Sequence, residues 1–305
     1  MRASLFRLKA DRIARPTAGL LRSVAGIRVA FAATLVTVWS LSGCDPAETP
    51  RSMLLATTTS VRDSGLLDAL LPEFTQRTGI EVRVIAVGSG AALRMGREGD
   101  ADLLLTHAPT AEQVLVDAGI VRRRTPFMEN HFVIAGPAVD PAGIKAMSTP
   151  EAALQAIARS QAAWVSRADD SGTHKREVAL WKAAGLSPEA SWEGLLHTGS
   201  GMGLSLQVAG EKRAYILTDI GTFLAFRERV DLVSLSTPSE SLRNVYSLLQ
   251  LDASNFDYAL KTEEAEALER HLLSPDTQRR IGIFGQQRFG RAVFVPLHLR
   301  PDESA

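Results

Sequence analysis

The chain has 305 residues, of which 45% are hydrophobic and 22% charged, a balance typical of a globular protein and not of a disordered one. Lys plus Arg and Asp plus Glu each number 34, but seven of the basic residues and only one acid lie in residues 1–43. The remainder therefore has a net charge of −6, which argues against nucleic-acid binding. The one cysteine excludes an intramolecular disulfide, a CxxC redox pair and a cysteine-rich zinc site.

The beginning of the chain has the pattern of a secretory signal. Basic residues extend as far as Arg28, and the uncharged run VAFAATLVTVWSLSG follows at 29–43. This run is shorter than the roughly 20 residues of a membrane-spanning helix, so the pattern predicts a signal peptide. The run ends in LSGC, which resembles the lipobox of bacterial lipoproteins and implies that residues 1–43 are removed and that Cys44 carries lipid. An uncleaved anchor with a chance cysteine is the alternative.

Strands and helices alternate after a polar, proline-containing tether at 44–52. Apolar runs predict strands at 53–56, 82–87, 101–106 and 130–137. Helical spacing follows the first strand, with Asp63 as the expected N-cap and Gly79 as the expected end, and further helices are predicted at 91–98 and 110–118.

The second half continues this alternation. Helices are predicted at 150–159, 173–184, 201–212, 221–228, 261–273 and 275–284, and strands at 162–166, 214–218 and 242–251. Strands separated by helix-length segments predict an α/β fold with a parallel sheet. We expect two lobes, one formed by 53–135 together with 242–305 and the other by 136–241.

Small hydrogen-bonding residues fill four segments at predicted strand–helix junctions, at 57–60, 88–90, 166–174 and 199–203. Helix N-termini present unpaired backbone N–H groups and partial positive charge, which favour an anion. Arg167 is the one fixed cation among these segments, and its planar donors suit an oxyanion. A single such segment is most often a cap or turn, but four across two α/β lobes favour an anion site.

The carboxylates of Asp169 and Asp170 allow two interpretations. They cap the following helix or pair with Arg167, or they accept the proton that phosphate keeps near neutral pH. Oxyanions that are fully deprotonated near neutral pH only accept hydrogen bonds, which suits a site made of hydroxyls, backbone N–H groups and one Arg. Phosphate is the second candidate, and sulfate and molybdate also stay open.

At these motifs the chain resembles the tungstate-binding periplasmic proteins, the substrate-binding subunits of tungstate ABC importers. The similarity covers nearly all of the chain after the tether and includes LLATTTSVRDSG, VIAVGSGAALRMG, WVSRADDSGTHKRE and HTGSGMGLSLQVAG. It implies a type II-like, two-lobed periplasmic-binding-protein fold with the oxyanion between the lobes. It also implies an extracytoplasmic location, an ABC permease as partner and no cofactor. The matching positions imply ligand contacts from Thr58, Thr59, Ser60, Ser89, Arg167, Ser171 and Thr173.

Two positions depart from the family's pattern. Thr218 and Asp219 are followed by Ile220, where relatives often have Arg, and Ala168 stands where Gly is common. If that Arg touches the ligand or closes the lobes in relatives, affinity or closure differs in this chain.

Other functional classes have less support. Ser89 or Ser171 with His174 would form a nucleophile–base pair, but the GxSxG elbow is absent and His174 fits a helix. His107 and His131 lack metal-ligand spacing, and HExxH and GxGxxG are missing. We therefore expect a binding protein and not an enzyme. An oxyanion sensor remains an alternative, because a binding subunit can deliver its ion to a transporter or report it to a signalling protein.

Overall fold

The computed structural model describes residues 51–187 and 192–299. The predicted signal peptide, Cys44 and the tether up to residue 50 lie outside the described residues. No helix in the described ranges combines the length and apolar character that crossing a bilayer requires.

The strands in the described ranges have between two and 16 residues. They are β1 (Ser52–Thr58), β2 (Glu81–Val87), β3 (Leu103–Thr106), β4 (Val121–Gly136), β5 (Trp164–Ser166), β6 (Leu195–His197), β7 (Tyr215–Asp219), β8 (Val233–Ser234), β9 (Arg243–Leu251) and β10 (Val295–Pro296).

The helices fill the connections between strands. They are α1 (Thr59–Ser64), α2 (Leu66–Thr78), α3 (Ser89–Glu98), α4 (Pro109–Asp117), α5 (Pro150–Arg159), α6 (Gly172–Ala183), α7 (Met202–Lys212), α8 (Ile220–Phe226), α9 (Thr262–Leu273), α10 (Pro275–Ile283) and α11 (Gln286–Phe289). Single 3₁₀ turns lie at Ile144–Ala146, Glu240–Leu242 and Ala253–Asn255.

The strands of the described chain pair in the order β2-β1-β3-β9-β4-β7-β5-β6, with β8 and β10 on β4. The pairs β1–β2, β1–β3, β5–β6 and β5–β7 are parallel, as the alternation of strands and helices predicts. The pairs β3–β9, β9–β4 and β4–β7 are antiparallel. The α/β class is as predicted, but the sheet is mixed and not parallel throughout, because β4 and β9 run against their neighbours at the centre.

One long strand, β4, connects the two groups of parallel strands. Its residues from Val121 to His131 pair with β9, and Phe132 to Ala135 pair with β7. The register shifts near Pro126, which has no N–H to give to the ladder. The polypeptide thus passes from one group of strands to the other along β4 and begins its return at β9.

Apolar side chains pack on both faces of the strands, in three clusters. Leu55, Leu105 and Leu248 belong to the largest cluster, which α2, α7 and α9 cover. A second cluster contains Trp164, Trp181 and Tyr215 beside β5 and β7. A third lies beneath α3 and α4. Because parallel strands buried on both faces are apolar along their whole length, the polar residues collect where the strands end.

Most predicted elements are present within a few residues of their expected ends. Gly79 ends α2 in the left-handed conformation, as predicted. Asp63 is not an N-cap, because α1 begins earlier, at Thr59, and Gly65 separates α1 from α2. The prediction missed β6, β8 and β10, which have only two or three residues and so show no periodicity.

Candidate functional site

The predicted polar segments lie at strand–helix junctions, but they are tighter than loops. β1 continues through Thr58 and α1 starts at the next residue. Gly88 is the N-cap residue of α3, and Ser171 is that of α6. The side chains of these segments thus belong to the end of a strand or to the first turn of a helix, and not to extended loops.

The junction before α3 contacts the junction before α6. Ser89 Oγ accepts a hydrogen bond from the backbone N–H of Gly172 at 3.1 Å. A Cβ atom placed on Gly90 would lie 3.1 Å from the backbone oxygen of Asp170, so only glycine fits there without a shift. Two of the four predicted segments are therefore in direct contact.

Three hydroxyls at this contact are available as donors. Ser171 Oγ accepts from the backbone N–H of His174 at 3.2 Å and so caps α6, and Ser89 Oγ accepts from Gly172. Accepting a hydrogen bond leaves each hydroxyl hydrogen free to donate. Thr173 Oγ1 is buried without a hydrogen-bond partner in the described chain, although buried polar atoms nearly always have one.

Arg167 is buried, with 2% of its surface exposed. Its Nη2 pairs with Asp169 Oδ2 at 2.5 Å, and its Nε donates to the backbone oxygen of Ser200 at 3.3 Å. Asp169 Oδ1 accepts from the backbone N–H of Ser171 at 3.2 Å. The interpretation that Asp169 pairs with Arg167 is confirmed. These contacts use two of the five guanidinium N–H donors, so the others can bind a ligand.

Ala168, next to Arg167, has a positive φ of 48°. This is the left-handed region, which glycine enters without steric cost and alanine does not. A glycine at this position would relieve this strain. Asp170, also at positive φ, pairs with Lys175 at 3.5 Å through a largely exposed side chain.

The fourth segment, 199–203, lies opposite the first. A Cβ atom on Gly201, the N-cap residue of α7, would lie 4.0 Å from Thr59 Oγ1. Together with the bond from Arg167 to Ser200, this brings 199–203 to the same place as the segments at 57–60 and 166–174.

The hydroxyls of Thr58 and Ser60 form a chain that leads to a histidine. Their oxygens are 3.1 Å apart, and Ser60 Oγ is 3.4 Å from His107 Nε2. His107 Nδ1 lies 2.9 Å from Asn244 Oδ1 on β9. Burial lowers the pKa of His107 to about 4, with the charges of Arg167 and Arg176 acting in the same direction. Sequence reasoning missed this residue, because a lone histidine after a strand carries no spacing signal.

Ile220 begins α8 and is buried in the largest apolar cluster. Asp219 caps the helix, accepting from the Thr222 backbone N–H at 3.0 Å and from its hydroxyl at 2.7 Å. Burial raises the pKa of Asp219. At this position the chain therefore has an apolar core residue and not a cation.

A cavity of about 480 Å³ adjoins the segment at 166–174, which contributes Ala168 to its lining. Ser166, His174, Glu177 and His197 are among the residues that line it. Glu177 Oε1 accepts from Trp164 Nε1 at 2.9 Å, and burial raises the pKa of Glu177 to about 7. No cluster of three or more His, Cys, Asp or Glu suited to a metal ion occurs in the ranges that the structure describes.

Comparisons with known proteins identify the family of the chain. The PBP superfamily domain matches residues 45–260. A tungstate-binding protein TupA from Peptoclostridium acidaminophilum is 39% identical over 276 residues, which are 87% of this chain and 96% of the relative.

Two solved structures are also similar. The tungstate-binding protein TupA from Desulfovibrio alaskensis G20 is 44% identical with a TM-score of 0.69, and the match covers 81% of this chain and 98% of that one. The tungstate ABC transporter structure from Geobacter sulfurreducens is 40% identical with a TM-score of 0.68, over 74% of this chain and 95% of that one. The chain belongs to the PBP superfamily and, within it, to the family of TupA tungstate-binding proteins.

Proposed function

We propose that this chain is an extracytoplasmic solute-binding protein that captures tungstate and delivers it to an ABC importer. One observation carries the proposal: the hydroxyls of Ser89, Ser171 and Thr173 and the buried guanidinium of Arg167 occupy adjoining strand–helix junctions. All of these groups can donate hydrogen bonds, and one of them is positively charged. A small dianion provides the acceptors and the charge that this set of donors lacks.

The partners of the Asp169 and Asp170 carboxylates support tungstate over phosphate as the ligand. Asp169 uses one oxygen for Arg167 and the other for the backbone of Ser171. Asp170 pairs with Lys175, and 65% of its side chain is exposed. Neither carboxylate is left as a buried acceptor for the proton of hydrogen phosphate. Molybdate and sulfate share the acceptor-only chemistry of tungstate, so discrimination among the three depends on size.

The residues proposed to contact the ligand are Thr58, Thr59, Ser60, Ser89, Arg167, Ser171 and Thr173. Thr58 to Ser89 precede β4 in the sequence, and Arg167 to Thr173 lie between β4 and β9. We propose that 53–135 with 242–305 form one lobe and 136–241 the other, and that the lobes close on the anion. The antiparallel pairing of β4 with β9 supports β4 and the segment before β9 as the crossing points.

The basic and apolar segment at 1–43 supports an extracytoplasmic location, and the names of the relatives support an ABC transporter as partner. We propose that residues 1–43 direct export, that Cys44 carries lipid and that an ABC permease receives the ion. Asp45 after the cysteine is a weak indication of retention at the inner membrane. Delivery of the same ion to a signalling partner is the alternative.

We propose that this chain binds its ligand without catalysing a reaction. Ser171 contacts His174 through the backbone N–H and not the imidazole, and Ser89 contacts Gly172. The nearest approach to a nucleophile–base–orienter arrangement is Ser60–His107–Asn244. An imidazole with a pKa of about 4 is a weak base at neutral pH. Assays with carboxylic and phosphoric esters, using Ser60→Ala as control, test for turnover.

The test is a calorimetric titration of residues 45–305 with tungstate, molybdate, sulfate and phosphate. We expect one tungstate to bind per chain, and phosphate to bind at least about a hundredfold more weakly, a difference of about 2.7 kcal/mol. Phosphate binding as tightly as tungstate would refute the assignment.

A further inference from the structure

The buried imidazole of His107 touches the junctions from which the anion site is built. Its Nε2 lies 3.4 Å from Ser60 Oγ, in the first turn of α1. A Cβ atom on Gly172, at the start of α6, would lie 2.9 Å from His107 Cε1 and 2.7 Å from Ser89 Oγ. The starts of α1 and α6 therefore meet at this one ring, and Ser89 at the start of α3 lies against the same glycine.

The other side of the ring is anchored to the crossing strands. Asn244 Nδ2 donates to Asn130 Oδ1 at 2.8 Å and to Tyr246 Oη at 2.9 Å. Both amide hydrogens are thus in use, and Asn244 Oδ1 faces His107 Nδ1 as an acceptor. With the Asn244 amide in this orientation, Nδ1 carries the hydrogen of the imidazole and Nε2 is an acceptor. The Tyr246 ring packs on it with 4.9 Å between centroids.

This tautomer sets the direction of the neighbouring hydroxyls. Ser60 donates to Nε2, so its oxygen accepts from Thr58. Thr57 donates to the backbone oxygen of Leu105 at 3.0 Å. Of the four hydroxyls in TTTS, only that of Thr59 then keeps its hydrogen for a ligand, so the proposed contacts from Thr58 and Ser60 would have to come from the backbone.

We propose that His107 is a positioning residue of the anion site, one that holds Ser60 through Nε2 and packs against Gly172 near Cε1. This inference rests on the proposed function. The low pKa of His107 keeps the imidazole neutral at the pH where tungstate is fully deprotonated, so its contribution is geometric and not a counter-charge. Through Asn244 it ties the ligand junctions to β9.

The test compares tungstate affinity in His107→Leu and His107→Gln. Leucine cannot accept from Ser60, whereas the amide oxygen of glutamine can. We expect His107→Leu to weaken binding about tenfold, equivalent to about 1.4 kcal/mol, and His107→Gln to stay within about threefold of wild type. Ser247→Ala is the control, because it removes a buried β9 hydroxyl without a partner in the described chain, and its affinity should match wild type. Thermal melts confirm that each variant is folded.

A spectroscopic measurement on the ligand-free protein checks the tautomer directly. In ¹⁵N NMR of histidine-labelled wild type, assigned by the loss of one signal in His107→Gln, we expect a protonated Nδ1 and a bare Nε2. Ser60→Ala should shift the Nε2 signal and leave that of Nδ1 nearly unchanged.

Three results would overturn the proposal: a hydrogen on Nε2, wild-type affinity in folded His107→Leu, or equal weakening in the Leu and Gln variants. If His107→Leu does not fold, the NMR result and the Gln variant decide. If wild type binds no oxyanion, the proposed function fails, but the tautomer is still tested in the ligand-free protein.

Discussion

Ser89 Oγ accepts a hydrogen bond from the backbone N–H of Gly172, and so joins the first turn of α3 to the first turn of α6. The bond satisfies one of the N–H groups that a helix start leaves unpaired. It also orients the serine with its hydrogen free to donate. One contact between residues 83 positions apart thus fixes both the spacing of two junctions and the direction of a donor.

Gly172→Ala is expected to weaken tungstate binding by tenfold or more. Its methyl group would meet Ser89 Oγ at 2.7 Å and His107 Cε1 at 2.9 Å, which forces the junctions apart. Calorimetric titration measures the effect. Gly88→Ala is the matched control, since its methyl group has 3.7 Å or more to its nearest neighbours and its φ of −68° suits alanine. Equal losses in the two variants would contradict the role assigned to Gly172.

Arg167→Ala is expected to weaken binding by at least about a hundredfold, or about 2.7 kcal/mol. It removes the buried cation of the site and leaves Asp169 without its partner. Arg167→Lys should recover only part of the loss, because an ammonium cannot reproduce a planar contact. Ser89→Ala and Thr173→Val each remove one neutral donor and should cost about 1–2 kcal/mol. Affinity within threefold of wild type in Arg167→Ala would place the cation outside the site.

Glu177→Gln tests the buried acid behind this segment through the pH dependence of stability. The pKa of Glu177 is raised from 4.5 to about 7 in the folded chain, so as pH rises the unfolded state loses its proton first. The free energy of unfolding of wild type therefore falls as the pH rises from about 4.5 to about 7. Glutamine has no proton to lose, so the variant should gain stability relative to wild type, by up to about 3 kcal/mol above pH 7.

Denaturant unfolding at pH 4.5 to 8 measures that difference, and His107 contributes equally to both proteins. Glu211→Gln is the control, because this side chain is exposed on α7 and its replacement should alter stability little at any pH. A difference between Glu177→Gln and wild type that stays constant with pH would show that the carboxyl does not ionise in this range.

Cys44→Ala is expected to release the protein from the membrane fraction without loss of tungstate affinity. The predicted lipid is attached there, before the PBP domain residues that carry the site. Fractionation with and without the substitution measures this. Wild-type protein found in the cytoplasm with residues 1–43 intact would contradict export.

Much of the fold follows from the sequence, because apolar runs and helical spacing extend over enough residues to be recognised. The helix at 150–159 matches α5, and the one predicted at 275–284 differs from α10 by one residue. The directions of the two central strands, β4 and β9, could not be predicted from the sequence. Nothing local to 121–136 or 243–251 shows that these strands run antiparallel to their neighbours, since direction is set by pairing across the sheet.

The candidate site was predictable to the same extent. Small polar residues at strand ends identify the junctions, and the family resemblance selects among them. The roles of His107 and Asn244 were not predictable, because they depend on contact between residues 137 positions apart. Nor does the sequence reveal that the hydroxyls of Thr57, Thr58 and Ser60 have hydrogen-bond partners inside the protein.

The most direct test of the central claim is a crystal structure of the protein with tungstate, in which the metal is located by its anomalous scattering. The account predicts one tungsten position, with its oxygens in hydrogen-bond contact with Arg167, Ser89 and Thr173. Tungsten in the cavity lined by Glu177 and His197, or no ordered tungsten at saturating concentration, would contradict it.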